Sequence, residues 1–150
     1  MRRIYEIRNM QSNIYRIFVY GSLRSGFHNT FYNYISRYFI FDGLGSVQAK
    51  LFDLGEYPGA IPCTEDYFIT GELYHISQHE QFEWVMKQLD DYEGVFVSTG
   101  EVPLFRREAV HVLFQNTTVS AWMYWYNRPV TNQPRIESGD YIAYKMGIGK

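Results

Sequence analysis

The chain is nearly free of cysteine, and that scarcity removes several chemistries at once. Cys63 is the only cysteine in 150 residues. It has no intrachain disulfide partner, and no cysteine zinc cluster can form. A nucleophilic role lacks support, because Ile61-Pro62-Cys63-Thr64 contains no histidine. Long apolar runs are missing as well. No stretch reaches the roughly 18 residues a membrane-spanning helix needs. Met1-Arg2-Arg3 is followed by mixed residues such as Glu6, Arg8 and Asn9, where a secretory leader would carry an apolar stretch. A cytoplasmic location is therefore expected. Neither charge sign is in excess: Lys and Arg number 14, Asp and Glu 16, for a formal net charge of -2. No bulk attraction to nucleic acid or to an anionic membrane follows from that balance. Internal repeats and low-complexity linkers are also absent, which leaves one domain with a sizeable core.

Aromatic residues are what the chain has in quantity: 14 Tyr, 11 Phe and 3 Trp. An aromatic-rich β core, with Tyr hydroxyls bonded at its edges, accounts for them. A base-stacking surface would need a basic patch or a repeated spacing, and neither is present.

The patterning predicts an N-terminal extension over 1–13, a domain over 14–145 and a short tail over 146–150. Residues 14–20 read as a strand. Asn29 is placed to cap a helix over about 30–38, where Phe31, Tyr34, Ile35 and Tyr38 recur at helical spacing. Residues 39–54 hold two strand candidates broken near Gly43-Leu44-Gly45. Another strand is expected over 67–76, with Gly71 as a bulge. Ser77-Gln78-His79-Glu80 has the spacing of a capping box. The helix after it carries Phe82, Val85, Met86 and Leu89 on one face, and Gly94 is placed to end it. Strands over 108–114 and 118–126 form a hairpin turning at 115–117. Strands outnumber helices in mixed order, so the fold class is α+β, with a curved or barrel-like sheet and a few short helices.

Two segments carry chemistry. In Ile17-Phe18-Val19-Tyr20-Gly21-Ser22-Leu23-Arg24-Ser25-Gly26 an apolar run stops at a glycine-bracketed turn. Such a turn can aim several backbone N–H groups at one anion. It is not a Walker loop, because no Gly-Lys-Ser/Thr follows. Arg24 could attract an anionic substrate or simply be solvated. The second segment is Leu89-Asp90-Asp91-Tyr92-Glu93-Gly94. Acids at a helix C-terminus are unfavourably placed by roughly 0.3–1 kcal/mol each. They form either a solvated acidic turn or a site where one carboxyl is held with its pKa raised, as a general base requires. His75, His79 and Glu83 are spaced by four, but a helix starting at Ser77 leaves His75 in the preceding strand. No metal site is expected from them.

Taken together, these segments resemble the γ-glutamylcyclotransferase-like family. Tyr20-Gly21-Ser22-Leu23 is similar to its Tyr-Gly-Ser-Leu signature, and Leu89 to Gly94 to its second signature. Gly26 and Asn29 match the loop-to-helix continuation. Gly55-Glu56-Tyr57-Pro58-Gly59, the Arg107, Val110, Val112 pattern, Ala121 to Tyr126, and Ser138-Gly139-Asp140-Tyr141 follow in the family's order. The family often has Tyr two residues before this arginine, whereas Phe105 stands here without the hydroxyl.

The resemblance implies an enzyme that cyclises a γ-glutamyl amide to 5-oxoproline and releases an amine. Glu93 is then the catalytic base and acid. Tyr20, Gly21, Ser22, Leu23 and Arg24 form the substrate cradle. The implied partner is a small γ-glutamyl molecule, with no metal, nucleotide or redox cofactor and no nucleic acid or membrane. Oligomeric state stays open. The alternative is a non-catalytic module that binds a γ-glutamyl or amino-acid-like ligand. A third reading is an interaction protein that assembles through its aromatic surface, for which the chain shows no heptad or repeat.

Overall fold

The computed structural model describes residues 13–21, 24, 30–95 and 100–147. Among the described residues there are six strands: β1 (Arg16–Val19), β2 (Phe39–Asp53), β3 (Pro58–Pro62), β4 (Phe68–Ile76), β5 (Phe105–Phe114) and β6 (Thr117–Tyr126). The helices are α1 (Thr30–Tyr38), α2 (Phe82–Tyr92) and the short α3 (Tyr141–Lys145). The strands follow the order β3-β2-β4-β1-β6-β5, and β5 returns to β2 through Ser46 and Leu113. That pairing closes five strands into a barrel, with β3 appended to β2. All pairings are antiparallel except β1 with β6.

The period-two alternation of the strands divides the apolar side chains between two cores. Phe18, Val47, Leu73, Val112 and Met123 come from all five ring strands and meet in one cluster, the barrel interior. Ile17, Val19, Tyr74 and Ile76 point the other way, against Ile35 of α1 and Phe82, Val85, Met86 and Leu89 of α2. The α2 face expected from helical spacing is the buried one.

Local chemistry corrects several expected features. The two strand candidates over 39–54 are one strand of 15 residues. Its register shifts between Phe41 and Gly43, so the bulge sits there and not at Gly71. Gly71 is regularly paired with Gly45. It is glycine because the Phe18 ring lies where its Cβ would be, with the Val19 carbonyl 2.6 Å from that point. The capping box at Ser77 does not form. The Ser77 hydroxyl donates to the Tyr38 carbonyl at 3.0 Å and its N–H to the same oxygen at 2.9 Å, so it serves the end of α1. A 3-10 turn, His79–Gln81, leads into α2 without a side-chain cap. The hairpin turn matches expectation: Gln115 and Asn116 have φ of 49° and 62°, the left-handed pair that fits strand twist. Asn29, placed to cap α1, lies outside the described residues, as do residues 1–12 of the expected N-terminal extension.

Gly71→Ala is expected to destabilise the barrel by about 1–3 kcal/mol, the range for overpacking a core. Urea unfolding should show a lower midpoint with an unchanged slope.

Candidate active site

Glu93 is delivered by the end of α2. Gly94 takes φ of 71°, a left-handed conformation that a side chain disfavours, and the helix stops there. The Glu93 N–H donates to the Leu89 carbonyl at 2.9 Å, and the Val95 N–H returns to the Asp90 carbonyl at 3.0 Å. The Leu104 N–H donates to the Gly94 carbonyl at 3.0 Å. This last bond fastens the helix end to the segment entering β5.

Asp90 lies on the apolar side of α2 and is 5% exposed. Arg107 grips it with two bonds, Nε to Oδ1 at 2.7 Å and Nη2 to Oδ2 at 3.1 Å. The Tyr124 hydroxyl donates to Oδ1 at 2.7 Å. A buried carboxylate needs such donors, since an uncompensated charge there is strongly destabilising. The Arg107 guanidinium also lies over the Trp122 ring, 4.6 Å from its centre.

The turn after β1 reaches the same space through Tyr20 and Gly21. A Cβ on Gly21 would sit 2.9 Å from Pro58 Cγ, so only glycine fits without a shift. The Arg24 N–H donates to the Gly21 carbonyl at 3.0 Å and closes the turn. Ser22 and Leu23 lie outside the described residues, as does Gly26. Arg24 itself is brought elsewhere. It is 4% exposed, with Nη1 2.9 Å from Asp140 and Nε 3.5 Å from Glu72. Its guanidinium ties the turn to β4 and to the segment before α3, and it does not line the cavity.

A cavity of about 230 Å³ opens between these elements. Phe18, Val19, Tyr20 and Gly21 form one side, and Tyr57 and Pro58 another. Tyr92 of α2 and Glu93 directly after it, with Leu104, Phe105 and Tyr124, complete it. The space suits an amino-acid-sized group better than the roughly 300–1,000 Å³ pockets of drug-sized ligands. Glu93 keeps partial exposure because it faces this space. Burial first, and then the Asp90 carboxylate, push its carboxyl up to about 8. The Tyr20 ring lines the cavity, but its hydroxyl is occupied. It donates to the Tyr124 carbonyl at 2.6 Å and accepts from the Ala60 N–H at 3.2 Å. Burial pushes the Tyr20 and Tyr124 hydroxyls far up, so both remain donors.

Sequence reasoning singled out Glu93, Tyr20 and Gly21, which all line this cavity. It missed the Asp90, Arg107 and Tyr124 cluster and the wall made by Tyr57. One signal for Asp90 was available: it follows Met86 by four residues, on the apolar stripe of α2. Among the described residues, no three His, Cys, Asp or Glu side chains group as metal ligands. His75 is bonded to Asp42 at 2.7 Å, and His79 stacks on Tyr15. No helix among the described residues is long and apolar enough to cross a membrane.

A closed five-stranded barrel with a carboxyl and a glycine turn in one cavity defines a class, and comparison with known proteins identifies it. Residues 17–143 match the family model for gamma-glutamyl cyclotransferase, AIG2-like. The chain belongs to this family. The gamma-glutamylcyclotransferase family protein YtfP of Escherichia coli K12 is 33% identical over 127 residues, 85% of this chain and 96% of that protein. The gamma-L-glutamyl-butirosin B gamma-glutamyl cyclotransferase of Niallia circulans is 31% identical over 131 residues, 87% of this chain and 77% of that one. The solution structure of the E. coli protein superposes with a TM-score of 0.59 at 32% identity, covering 87% of this chain and 98% of that chain. An AIG2-like protein of Mus musculus shares the fold, with a TM-score of 0.64 at 22% identity over 90% of this chain and 93% of that one.

The raised carboxyl carries a stability consequence. The unfolded Glu93 ionises near its ordinary value of 4.5, whereas the folded one holds its proton to about 8. The folded state binds the extra proton between these values, so Glu93 weakens stability progressively as pH rises through that window. Glu93→Gln removes the effect. It is expected to be the more stable protein at pH 8 and above, by on the order of a few kcal/mol, with the difference shrinking toward pH 5. Denaturant unfolding at several pH values measures this.

Proposed function

We propose that this protein is a γ-glutamylcyclotransferase-like enzyme that converts a γ-glutamyl amide into 5-oxoproline and a free amine. The observation that carries the reading is the enclosure of Glu93, with its raised carboxyl, in one cavity with Tyr20 and Gly21. Family membership supports the same chemistry in general terms.

In the proposed reaction the substrate's α-amine attacks its own γ-carbonyl carbon. Glu93 takes a proton from the amine as the new C–N bond forms, then passes it to the leaving nitrogen as the old C–N bond breaks. Nucleophile and electrophile belong to one molecule, so holding the attack geometry supplies much of the acceleration, up to roughly 7–11 kcal/mol in favourable systems. An ordinary glutamate is a poor match for an amine with a pKa of about 7.7–8. A carboxyl near 8 is a good one, and the proton moves both ways with little driving force lost. Backbone N–H groups around Gly21, Ser22 and Leu23 are assigned to the glutamyl carboxylate or the developing oxyanion. Tyr57, Pro58, Leu104 and Phe105 are the walls available to the amine portion. Arg24 acts in this scheme by fixing the turn, through Glu72 and Asp140.

Assay of γ-glutamyl amino acids, γ-glutamyl amines and glutathione for 5-oxoproline tests the reading. Turnover is expected with at least one of them, and Glu93→Gln should lower kcat by about 10²–10⁴-fold. Product formation undiminished in that variant removes Glu93 from the mechanism. Binding without turnover across the panel favours the non-catalytic module. For the native protein kcat/KM should rise with pH through about 8, as Glu93 loses its proton. A profile already flat from pH 5 contradicts a raised carboxyl as the base.

A further inference from the structure

Asp90 and Arg107 have no part in the reaction as written, and neither lines the cavity. Asp90 nevertheless stands three residues before Glu93, a spacing that puts both on one helix face. We propose that Asp90 is a positioning residue: held by Arg107 and Tyr124 within one helical turn of Glu93, it places a fixed negative charge beside the base and braces the Tyr124 wall. This rests on Glu93 being the base of the proposed reaction.

The geometry excludes a direct role for Asp90. Both of its oxygens are engaged, Oδ1 by Arg107 and Tyr124 and Oδ2 by Arg107, and the side chain is almost wholly buried. Packing alone does not account for it, since apolar side chains of similar volume fill such a space at least as stably as an ion pair. What the pair adds is a charge at a defined place. Arg107 holds that place with two bonds, one to each carboxylate oxygen. The helix C-terminus adds partial negative charge of the same sign.

Other groups around Glu93 are poor candidates for this role. Tyr20 just after β1, Tyr57 before β3 and Tyr124 on β6 are all pushed up, by burial first, and stay neutral. Arg107 on β5 is bonded to Asp90. Glu56 and the exposed Arg128 act on Tyr57. Asp90 shares the helix face of Glu93, and its charge adds to burial in raising the Glu93 carboxyl.

Carboxyl-carbon NMR on protein labelled at glutamate follows the Glu93 proton without any substrate, with Glu93→Gln identifying its signal. Asp90→Asn keeps an acceptor for Tyr124 and removes the charge. Its Glu93 midpoint should fall by about one pH unit or more, and the acid limb of kcat/KM should move with it. Asp90→Glu restores the charge and should bring the midpoint back toward the native value. The double variant Asp90→Asn, Arg107→Gln leaves no unpaired charge and should also lower the midpoint, by less. It decides the matter if the single variant does not fold. An unmoved midpoint in a folded charge-removed variant overturns the proposal. Native turnover with an unmoved midpoint keeps the reaction and rejects the Asp90 role. A falling midpoint without turnover of any γ-glutamyl amide does the reverse.

Discussion

The bond between Arg107 and Asp90 is the constraint on which the site depends. It joins the last turn of α2 to β5, and Tyr124 adds β6 to the same carboxylate. Most of the remaining contact between α2 and the barrel is apolar and therefore non-directional. Apolar contacts set the depth at which a helix sits more firmly than its rotation or its end. Three charge-assisted bonds on one carboxylate fix both. Glu93 follows Asp90 by less than one turn, so its place in the cavity is fixed by the same bonds.

A second brace complements this one. The Tyr20 hydroxyl links the β6 backbone at Tyr124 to the β3 backbone at Ala60. Tyr124 therefore takes part in both braces, by its side chain toward α2 and by its carbonyl toward β1. The cavity is bounded by groups whose polar atoms are largely engaged with one another. Rings and apolar side chains make most of its surface, and Glu93 is its ionisable carboxyl. This arrangement is costly for folding, because burial beside the Asp90 carboxylate opposes the charged form of Glu93. In the proposed reaction that cost serves proton transfer near neutrality.

Much of the fold was legible in the chain because it rests on local periodicity. The α2 stripe of Phe82, Val85, Met86 and Leu89, the α1 bounds and the hairpin at Gln115-Asn116 follow from spacing and turn chemistry. The errors arose where two positions distant in sequence compete for one group. Ser77 has the spacing of a cap but serves the Tyr38 carbonyl. Gly71 looks like a bulge but makes room for the Phe18 ring. The real bulge lies beside Gly43, where strand pairing and not composition decides the register.

The candidate site divides in the same way. By itself, the sequence determined that a glycine turn ends the first strand and that an acid ends the second helix. These are local facts of backbone conformation and helix termination, and the family resemblance rests on them. Only the tertiary structure decided which residues meet. It turned Arg24 inward to Glu72 and Asp140, although the chain allowed it to face solvent or substrate. It placed Asp90 against Arg107, 17 residues on, and against Tyr124, 34 residues on. Closure of the barrel brings those strands beside the helix end, and burial then requires every charge to find its partner across that distance.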